Sequence, residues 1–564
     1  MSIAYDQRPW LKWYREGVKA DVTIHNQSLC QAFDEATDKW KDKTAIIFYG
    51  RKISFKEIRE KADRVAAALH DLGVRKGDVV AFLLLNSPEF IIAYYGTLKT
   101  GAIISPISPV YVSSEIKHQL EDSGAKAIVC QDILLEKVEK TGVKLKTVIL
   151  TNIGESLPAS TRILGQSVLK IVYQKMAVPS RSIAMKEGFY QLQDLLKKYS
   201  PNPPAVDINA TEDIAVLPYT GGTTGLPKGV MLTHSNLTSN VEMIEGFYPL
   251  EQSKEVMLSF MPFFHIGGMI WEVVTAIFRG WTQIILTTPA LDDIISNIRN
   301  YNVTFFGGAP TIFEMLKNYD KTKSIDWRSM KVVASGADAL HEATAKDWEL
   351  QTGTKLHDFY GSTEQGGSSM WSPYGKPRYG SIGVPLPNVQ AAVVEPGKDE
   401  LVEVGEIGEI VVRGPHICKG YWKRPDAVKE TEAIVNGITW FRTGDLGKMD
   451  EDGYFYIYDR VRDLIKYKGY RVHSREVEEV IKMNPSVKEV GVIGLPDQQV
   501  GENIKAFVVL ETDARGKVTE TAIVEYCQDK LAHYKIPRII EFVSELPKTD
   551  VGKVSRRELR EMEE

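Results

Sequence analysis

Tyr219-Thr-Gly-Gly-Thr-Thr-Gly-Leu-Pro-Lys-Gly-Val230 decides how this chain is read. The apolar run Ile214-Ala-Val-Leu-Pro-Tyr219 ahead of it predicts a short strand, so the glycines stand where a strand ends. Gly221, Gly222 and Gly225 let the backbone take positive φ and turn its N–H groups towards one point. Thr220, Thr223 and Thr224 add hydroxyls and Lys228 adds a point cation, a set that suits a polyphosphate. Pro227 before the lysine, and Gly229 where Ser or Thr would follow it, exclude a Walker A loop. A mobile Gly/Thr turn is the plainer alternative, and the density of small and hydroxylated residues weighs against it.

The 564 residues correspond to roughly three or four domain-sized units. A hydrophobic content of 43% and a charged content of 25% are those of a globular protein. The net charge of −5 lacks the basic footprint of a nucleic-acid binder. Cys30, Cys130, Cys418 and Cys527 are scattered without metal-ligand spacing, so free thiols are expected. Asp6, Arg8, Lys12 and Arg15 interrupt the N-terminus, which does not read as a signal peptide, and no apolar run reaches membrane-spanning length. The expected setting is cytoplasmic.

Strand and helix alternate from the start. A helical pattern covers Leu29 to Trp40, Thr44 to Tyr49 reads as a strand, and Ser54 precedes the periodic run Ile58, Ala62, Val65, Ala66, Leu69. Val79-Val-Ala-Phe-Leu-Leu-Leu85 is continuous and apolar, as in a parallel strand covered on both faces. A helix near Phe90 to Leu98 and strands at Ala102–Pro106, Lys126–Val129 and Thr147–Leu150 continue a doubly wound α/β pattern. Residues 151 to 205 break the rhythm. Arg162 to Lys175 is amphipathic with a basic polar face, and packing on the domain beneath is favoured over docking on a membrane surface.

After the loop come Leu258-Ser-Phe-Met-Pro-Phe-Phe-His-Ile-Gly-Gly268, Val303-Thr-Phe-Phe-Gly-Gly-Ala-Pro310, Lys331-Val-Val-Ala-Ser-Gly-Ala-Asp338 and Asp358-Phe-Tyr-Gly-Ser-Thr-Glu364. From Gly380 the pattern changes to short strands and Gly/Pro turns, as in a small distorted β-barrel. Trp440-Phe-Arg-Thr-Gly-Asp445 follows, then the charged stretch Tyr454 to Tyr470, then a compact unit of helices and strands ending in Glu545-Leu-Pro-Lys-Thr-Asp-Val-Gly-Lys-Val-Ser-Arg-Arg557.

This order of motifs, over nearly the whole chain, resembles the adenylate-forming superfamily of acyl-CoA synthetases, aryl-CoA ligases, luciferases and adenylation domains. The fold so implied is α/β. A large N-terminal domain, residues 1–461, holds two doubly wound subdomains and a barrel-like subdomain at about 380–458. A small mobile α+β C-terminal domain, 462–564, hinges near Arg462, where relatives carry Asp or Lys. The resemblance places ATP on Thr220, Gly221, Gly222, Thr223, Thr224, Gly225 and Lys228, with the nucleotide at Gly336, Ala337, Asp358, Tyr360, Gly361 and Thr363. It assigns the ribose to Asp445, with Ile457 and Arg460 beside it, and coenzyme A to the turn of Lys466, Lys468 and Gly469. Mg²⁺ falls to Glu364 with Thr223, because a hard cation bridging phosphates wants oxygen ligands. Asp445 taken alone reads as a turn aspartate.

Lys553 is the expected catalytic lysine, supported by Lys228 and His265. A cation at the α-phosphate lowers the barrier to attack by a second anion. A solvated basic tail with Arg556, Arg557 and Arg560 is the alternative for Lys553. Phe263 and Phe264 either line the acid pocket or pack in a buried turn. No aspartate stands near His265 to pair a substrate ammonium, so amino acids fit poorly. Gly361, where acetate-type relatives carry Trp, implies an open acyl tunnel.

The expected activity is AMP-forming fatty acid–CoA ligation of a medium- or long-chain acid. The alternatives are an aryl, 4-coumarate-type or short hydroxy-acid ligase, an adenylation domain serving a carrier protein, and a non-catalytic binding protein. The expected partners are the acid, ATP and CoA, without nucleic acid; peripheral membrane contact and a homodimer stay open.

Overall fold

The computed structural model describes residues 5–158, 186–220, 226–338, 340–468, 470–497, 499–528, 530–549 and 553–563. The basic segment Arg162 to Lys175, the loop glycines and threonines Gly221 to Gly225, and Gly469 lie outside the described residues. The chain forms two compact units. One comprises Trp10–Gln390 and Arg413–Glu430, and the other comprises the residues up to Pro9, Ala391–Val412 and Thr431 onward.

Two large sheets build the larger unit. In the seven-stranded sheet, Val79–Leu83 is central, flanked by Ile103–Pro106 and Ala127–Gln131, with Thr147–Thr151 and Phe189–Gln191 on one side and Ile214–Val216 and Leu232–Thr233 on the other. Pairing is parallel except at the Leu232–Thr233 edge. Val79–Leu83 is buried along its whole length, as its unbroken apolar run predicts. Ser54 caps Phe55–Asp71 by accepting from the Glu57 N–H at 3.1 Å. Helix Pro88–Leu98 is buried on every side, and its Tyr95 hydroxyl donates to the Val273 carbonyl at 2.8 Å.

In the nine-stranded sheet, Leu356–Tyr360, Val332–Gly336, Phe305–Gly308, Val256–Ser259, Thr282–Ile285 and Thr44–Phe48 run parallel, in that spatial order. Phe306, Phe313, Trp327 and Trp348 form its aromatic core, the two tryptophans meeting edge-on at 4.7 Å. Burying each such side chain contributes roughly 1.5–3 kcal/mol.

The smaller unit also has two sheets, each five-stranded. In the first, Gly408–Arg413, Glu432–Val435 and Phe455–Arg460 pair antiparallel with the long strand Ile438–Met449. The short turn Val461–Asp463 then leads into the second sheet, built on the long hairpin of Val487–Asp497 and Gly501–Leu510. Helices Ser474–Lys482, Glu520–Gln528 and Arg556–Glu561 belong to this part.

One expected strand is interrupted. Ile214–Val216 joins the seven-stranded sheet, whereas Tyr219–Thr220 leaves it to form a separate hairpin with Lys228–Gly229. Pro218 has no N–H to continue the ladder, so the strand breaks there.

Candidate active site

The hairpin that ends the expected phosphate loop is firmly rooted. Lys228 stands opposite Thr220 and Gly229 opposite Tyr219, while the Val230 N–H donates to the Pro218 carbonyl at 2.8 Å. The Tyr219 hydroxyl donates to Asp122 at 2.7 Å.

A second segment, Cys418 to Trp422, straps this hairpin down. The Trp422 N–H donates to the Gly229 carbonyl at 2.8 Å, and Met231 and Gly420 meet at 2.9 Å. Asn236 Nδ2 holds the approach to the strap by donating to the Pro415 and Ile417 carbonyls, both at 2.8 Å. At the strap's other end the Cys418 N–H donates to the Glu364 carbonyl at 2.8 Å. Tyr421 then joins two expected site residues. Its hydroxyl donates to Glu364 Oε1 at 3.1 Å, and the Lys228 ammonium lies 5.7 Å from its ring centroid. Nothing in the local sequence marks Tyr421; its role arises from folding alone.

The residues expected at the nucleotide stand at or near the carboxyl ends of neighbouring parallel strands, where open α/β sheets bind ligands. Gly336 pairs in register with Phe359, and a Cβ at 336 would lie 2.3 Å from that ring, so close strand packing demands glycine there. Ala337 follows at φ 68°, a left-handed conformation uncommon for alanine. Asp358 and Tyr360 are buried in strand Leu356–Tyr360, and the Asp358 N–H donates to Ser372 Oγ at 3.1 Å. Thr363 accepts through its carbonyl from the Gly366 N–H at 3.1 Å, closing the turn that carries Glu364.

Gly361 differs from its expected role. A Cβ there would meet the Gly367 carbonyl oxygen at 1.7 Å and the Ser368 Cα at 2.8 Å. The glycine permits a close crossing of two backbones, and its side-chain direction does not open into a channel.

The turn after Val256–Ser259 is held by two buried residues that sequence reading missed. Asn86 donates to the Met261 carbonyl at 2.7 Å and accepts from the Phe263 N–H at 2.9 Å. Glu272 accepts from the Phe260 and Met261 N–H groups at 3.2 and 3.1 Å. Burial pushes its carboxyl well above the usual range, against the charge-favouring pull of those two donors. An acid within the apolar run from Ile266 to Ile277 was the available signal. Phe263 is fully buried, packing edge-on against Phe90 at 5.5 Å. His265 caps the following helix, its Nδ1 accepting from the Gly267 N–H at 3.2 Å.

The remaining expected residues lie in the smaller unit. Asp445 is buried within strand Ile438–Met449, not in a turn, and accepts from Arg460 Nε at 2.7 Å. Ile457 pairs in register with Gly447 on the strand that carries Arg460. Lys466 is exposed, its N–H donating to Glu502 at 2.6 Å, and Lys468 turns the chain at φ 48°. Lys553 is tied to Thr549 by two hydrogen bonds. Its carbonyl accepts from the Thr549 N–H at 2.7 Å, and its own N–H donates to Thr549 Oγ1 at 3.2 Å.

Arg556 and Arg560 are not part of a solvated tail, although Arg557 between them is exposed. Arg556 binds Glu478 at 2.7 Å and Asp463 at 3.0 Å, with Asp459 at 3.7 Å, and Arg560 binds Asp463 at 2.8 Å. Burial alone would raise all three carboxyls. Arg556 and Arg560 overcome it at Asp463, which is held below its ordinary value, whereas Asp459 and Glu478 stay above theirs.

The profile of the AMP-binding enzyme family matches residues 33–422, and that of the AMP-binding enzyme C-terminal domain matches residues 476–553. The chain belongs to the AMP-binding enzyme family. A long-chain-fatty-acid–CoA ligase of Bacillus subtilis is 37% identical over 99% of this chain and 98% of that protein. A ligase of the same name from Escherichia coli O157:H7 is 34% identical over 98% of each. Among solved structures, ATP-bound MatB from Rhodopseudomonas palustris superposes with a TM-score of 0.81 at 28% identity, covering 95% of this chain and 99% of that one.

In this AMP-binding enzyme the second family profile ends on Lys553. The four cysteines are free thiols, as expected, and three are buried. Burial, then the Glu364 carboxylate, push the Cys418 thiol up to about 12, so it stays protonated beside the site. Among the described residues no group of three or more His, Cys, Asp or Glu could cage a metal ion. None of their helices is long and apolar enough to cross a membrane.

Proposed function

We propose that this AMP-binding enzyme is an ATP-dependent acyl-CoA synthetase for medium- or long-chain fatty acids. In the first half-reaction the acid's carboxylate attacks the α-phosphate of ATP and pyrophosphate leaves. In the second, the CoA thiol attacks the carbonyl of the mixed anhydride and AMP leaves. The mixed anhydride is already activated, so no protein nucleophile is needed.

The observation that carries this reading is the meeting of Lys228, Tyr421 and Glu364 at the root of a hairpin rich in glycine and threonine. Lys228 neutralises phosphate oxygens, Tyr360 and Gly336 receive the adenine, Asp445 accepts from the ribose hydroxyls, and Lys553 supports the charge developing on the α-phosphate. Thr223 and Glu364 are the proposed Mg²⁺ ligands. The Glu364 carboxylate, which accepts from Tyr421, supplies the oxygen chemistry a hard cation takes, and the phosphates of the nucleotide would supply the rest. When bound, Mg²⁺ offsets phosphate charge. The naming of the Bacillus and Escherichia relatives supports the acyl class. The same proposal includes a C-terminal module that turns about Arg462, so that Lys553 serves the first half-reaction and the Lys468-Gly469 turn the second. It also includes a cytoplasmic setting.

The test is pyrophosphate release with ATP, Mg²⁺ and CoA across acids from acetate to palmitate, with benzoate and coumarate alongside. A maximum at about eight or more carbons is expected, because each buried CH₂ contributes about 0.8 kcal/mol. A maximum at short or aromatic acids overturns the substrate class. Lys553→Ala is expected to abolish adenylate formation while thioester formation from supplied acyl-AMP continues; equal loss of both contradicts the division of labour.

A further inference from the structure

We propose that Tyr421 is a positioning residue that sets the spacing of Lys228 and Glu364 for nucleotide binding. The inference rests on the functional reading above only in taking those two groups as the ATP cradle. One side chain, 9% exposed, touches both charges: the phenol donates to Glu364 Oε1 at 3.1 Å, and the ring receives the Lys228 ammonium at 5.7 Å. Its backbone has little freedom. The flanking Trp422 N–H and Gly420 carbonyl are tied to Gly229 and Met231 of the phosphate hairpin, and the Tyr421 carbonyl accepts from the Arg424 N–H at 3.2 Å. The ring therefore moves with the hairpin. The Cys418 N–H, held at 2.8 Å by the Glu364 carbonyl, ties the same strap to the Glu364 turn.

The chemistry of this arrangement separates two jobs. The hydroxyl restrains the Glu364 carboxylate through one of its two oxygens. The ring gives the lysine ammonium a weak, non-neutralising partner, so that its charge stays available to phosphate. With a small aliphatic side chain at 421, lysine and glutamate are free to pair with each other. Direct pairing withdraws both from the nucleotide.

The test is calorimetric titration of ATP into the full chain, once in EDTA and once with Mg²⁺, for the wild type, Tyr421→Phe and Tyr421→Leu, with melting curves of each. Tyr421→Phe keeps the ring, so its metal-free affinity stays at the wild-type level. Its gain in affinity on adding Mg²⁺ shrinks roughly tenfold, the usual cost of losing a hydrogen bond to a charged group. Tyr421→Leu loses metal-free affinity as well. Melting temperatures of wild type and Tyr421→Phe coincide. The proposal is overturned if Tyr421→Phe shows the full wild-type gain with Mg²⁺, or if its affinity falls equally in both conditions alongside its melting temperature. Because no acid is present, an error in the acyl class leaves this measurement unaffected. Failure of the wild type to bind ATP would instead sink the functional reading.

Discussion

Asp445 and Arg460 face each other across paired strands, with Arg460 Nε donating to the carboxylate at 2.7 Å. The two ends of the pair differ sharply: the Asp445 side chain is 6% exposed and that of Arg460 is 54% exposed. An ion pair with one end in water contributes little stability, so the value of the pair lies in aiming a buried acceptor. Asp445→Asn should therefore weaken ATP use far more than folding. The expected outcome is a KM for ATP raised roughly 10- to 100-fold, the cost of a charge-assisted hydrogen bond, with Tm near the wild type. Pyrophosphate release against ATP concentration, with a melting curve, checks both.

Gly361 separates two accounts of chain-length selection. If its missing side chain kept a tunnel open, Gly361→Ala would shorten the preferred acid and leave folding intact. The 1.7 Å approach to the Gly367 carbonyl predicts the opposite. Gly361→Ala should cost about 3 kcal/mol or more of stability through forced backbone movement. Activity per folded molecule should keep its ranking of acids, measured by denaturant unfolding and an acid panel.

Arg556 compensates three carboxylates beside the Val461–Asp463 turn. Its removal leaves buried charge without a partner, so Arg556→Met should destabilise the protein by roughly 3–5 kcal/mol near neutral pH. The pH dependence has a definite sign. Asp459 and Glu478 already titrate above their ordinary values, and loss of the guanidinium raises them further. Protonation then relieves the unpaired charge, so the deficit of the variant should narrow as pH falls from neutral towards the ordinary carboxylate range. Asp463 works in the wild type's favour only above that range, because its folded value is depressed. Unfolding curves of both proteins across this window test the trend.

Glu155 offers a second pH-dependent test in the larger unit. Burial first, and the neighbouring Glu89 second, raise its carboxyl from 4.5 to about 7. The folded state thus holds a proton that the unfolded chain has released. Stability from this group is fully present below pH 4.5, falls as pH rises towards 7, and stays lost above it. Glu155→Gln, which cannot ionise, should match the wild type in acid and exceed it by about 2–3 kcal/mol in mild alkali. Thermal melts at the two ends of the window decide it.

The local grammar of the chain was sufficient for most elements. Ser54 as a cap, Val79–Leu83 as a covered strand and the doubly wound alternation all follow from spacing of a few residues, because capping, turns and periodicity are short-range physics. Lys228, Glu364 and Lys553 stand out in the sequence for the same reason, each lying in a short motif of distinctive composition, whereas Asp445, which taken alone reads as a turn aspartate, lies within a long strand. The break at Pro218 was equally written in the residue type, though the run of apolar neighbours concealed it.

Contacts made by long loop closures were not legible. Tyr421 meets Glu364 across 57 positions, and Arg556 reaches Glu478 across 78. Asn86 and Glu272 clamp a turn from different parts of the fold, and only Glu272, an acid inside an apolar run, carries any sign of it in the sequence. Gly361 was visible as a glycine, but which way its absent side chain points depends on where another backbone crosses it. Residue type and spacing therefore establish which chemistry the chain carries. Partner, burial and direction come from packing, because a side chain's charge and reach acquire meaning only from the groups that folding sets against it.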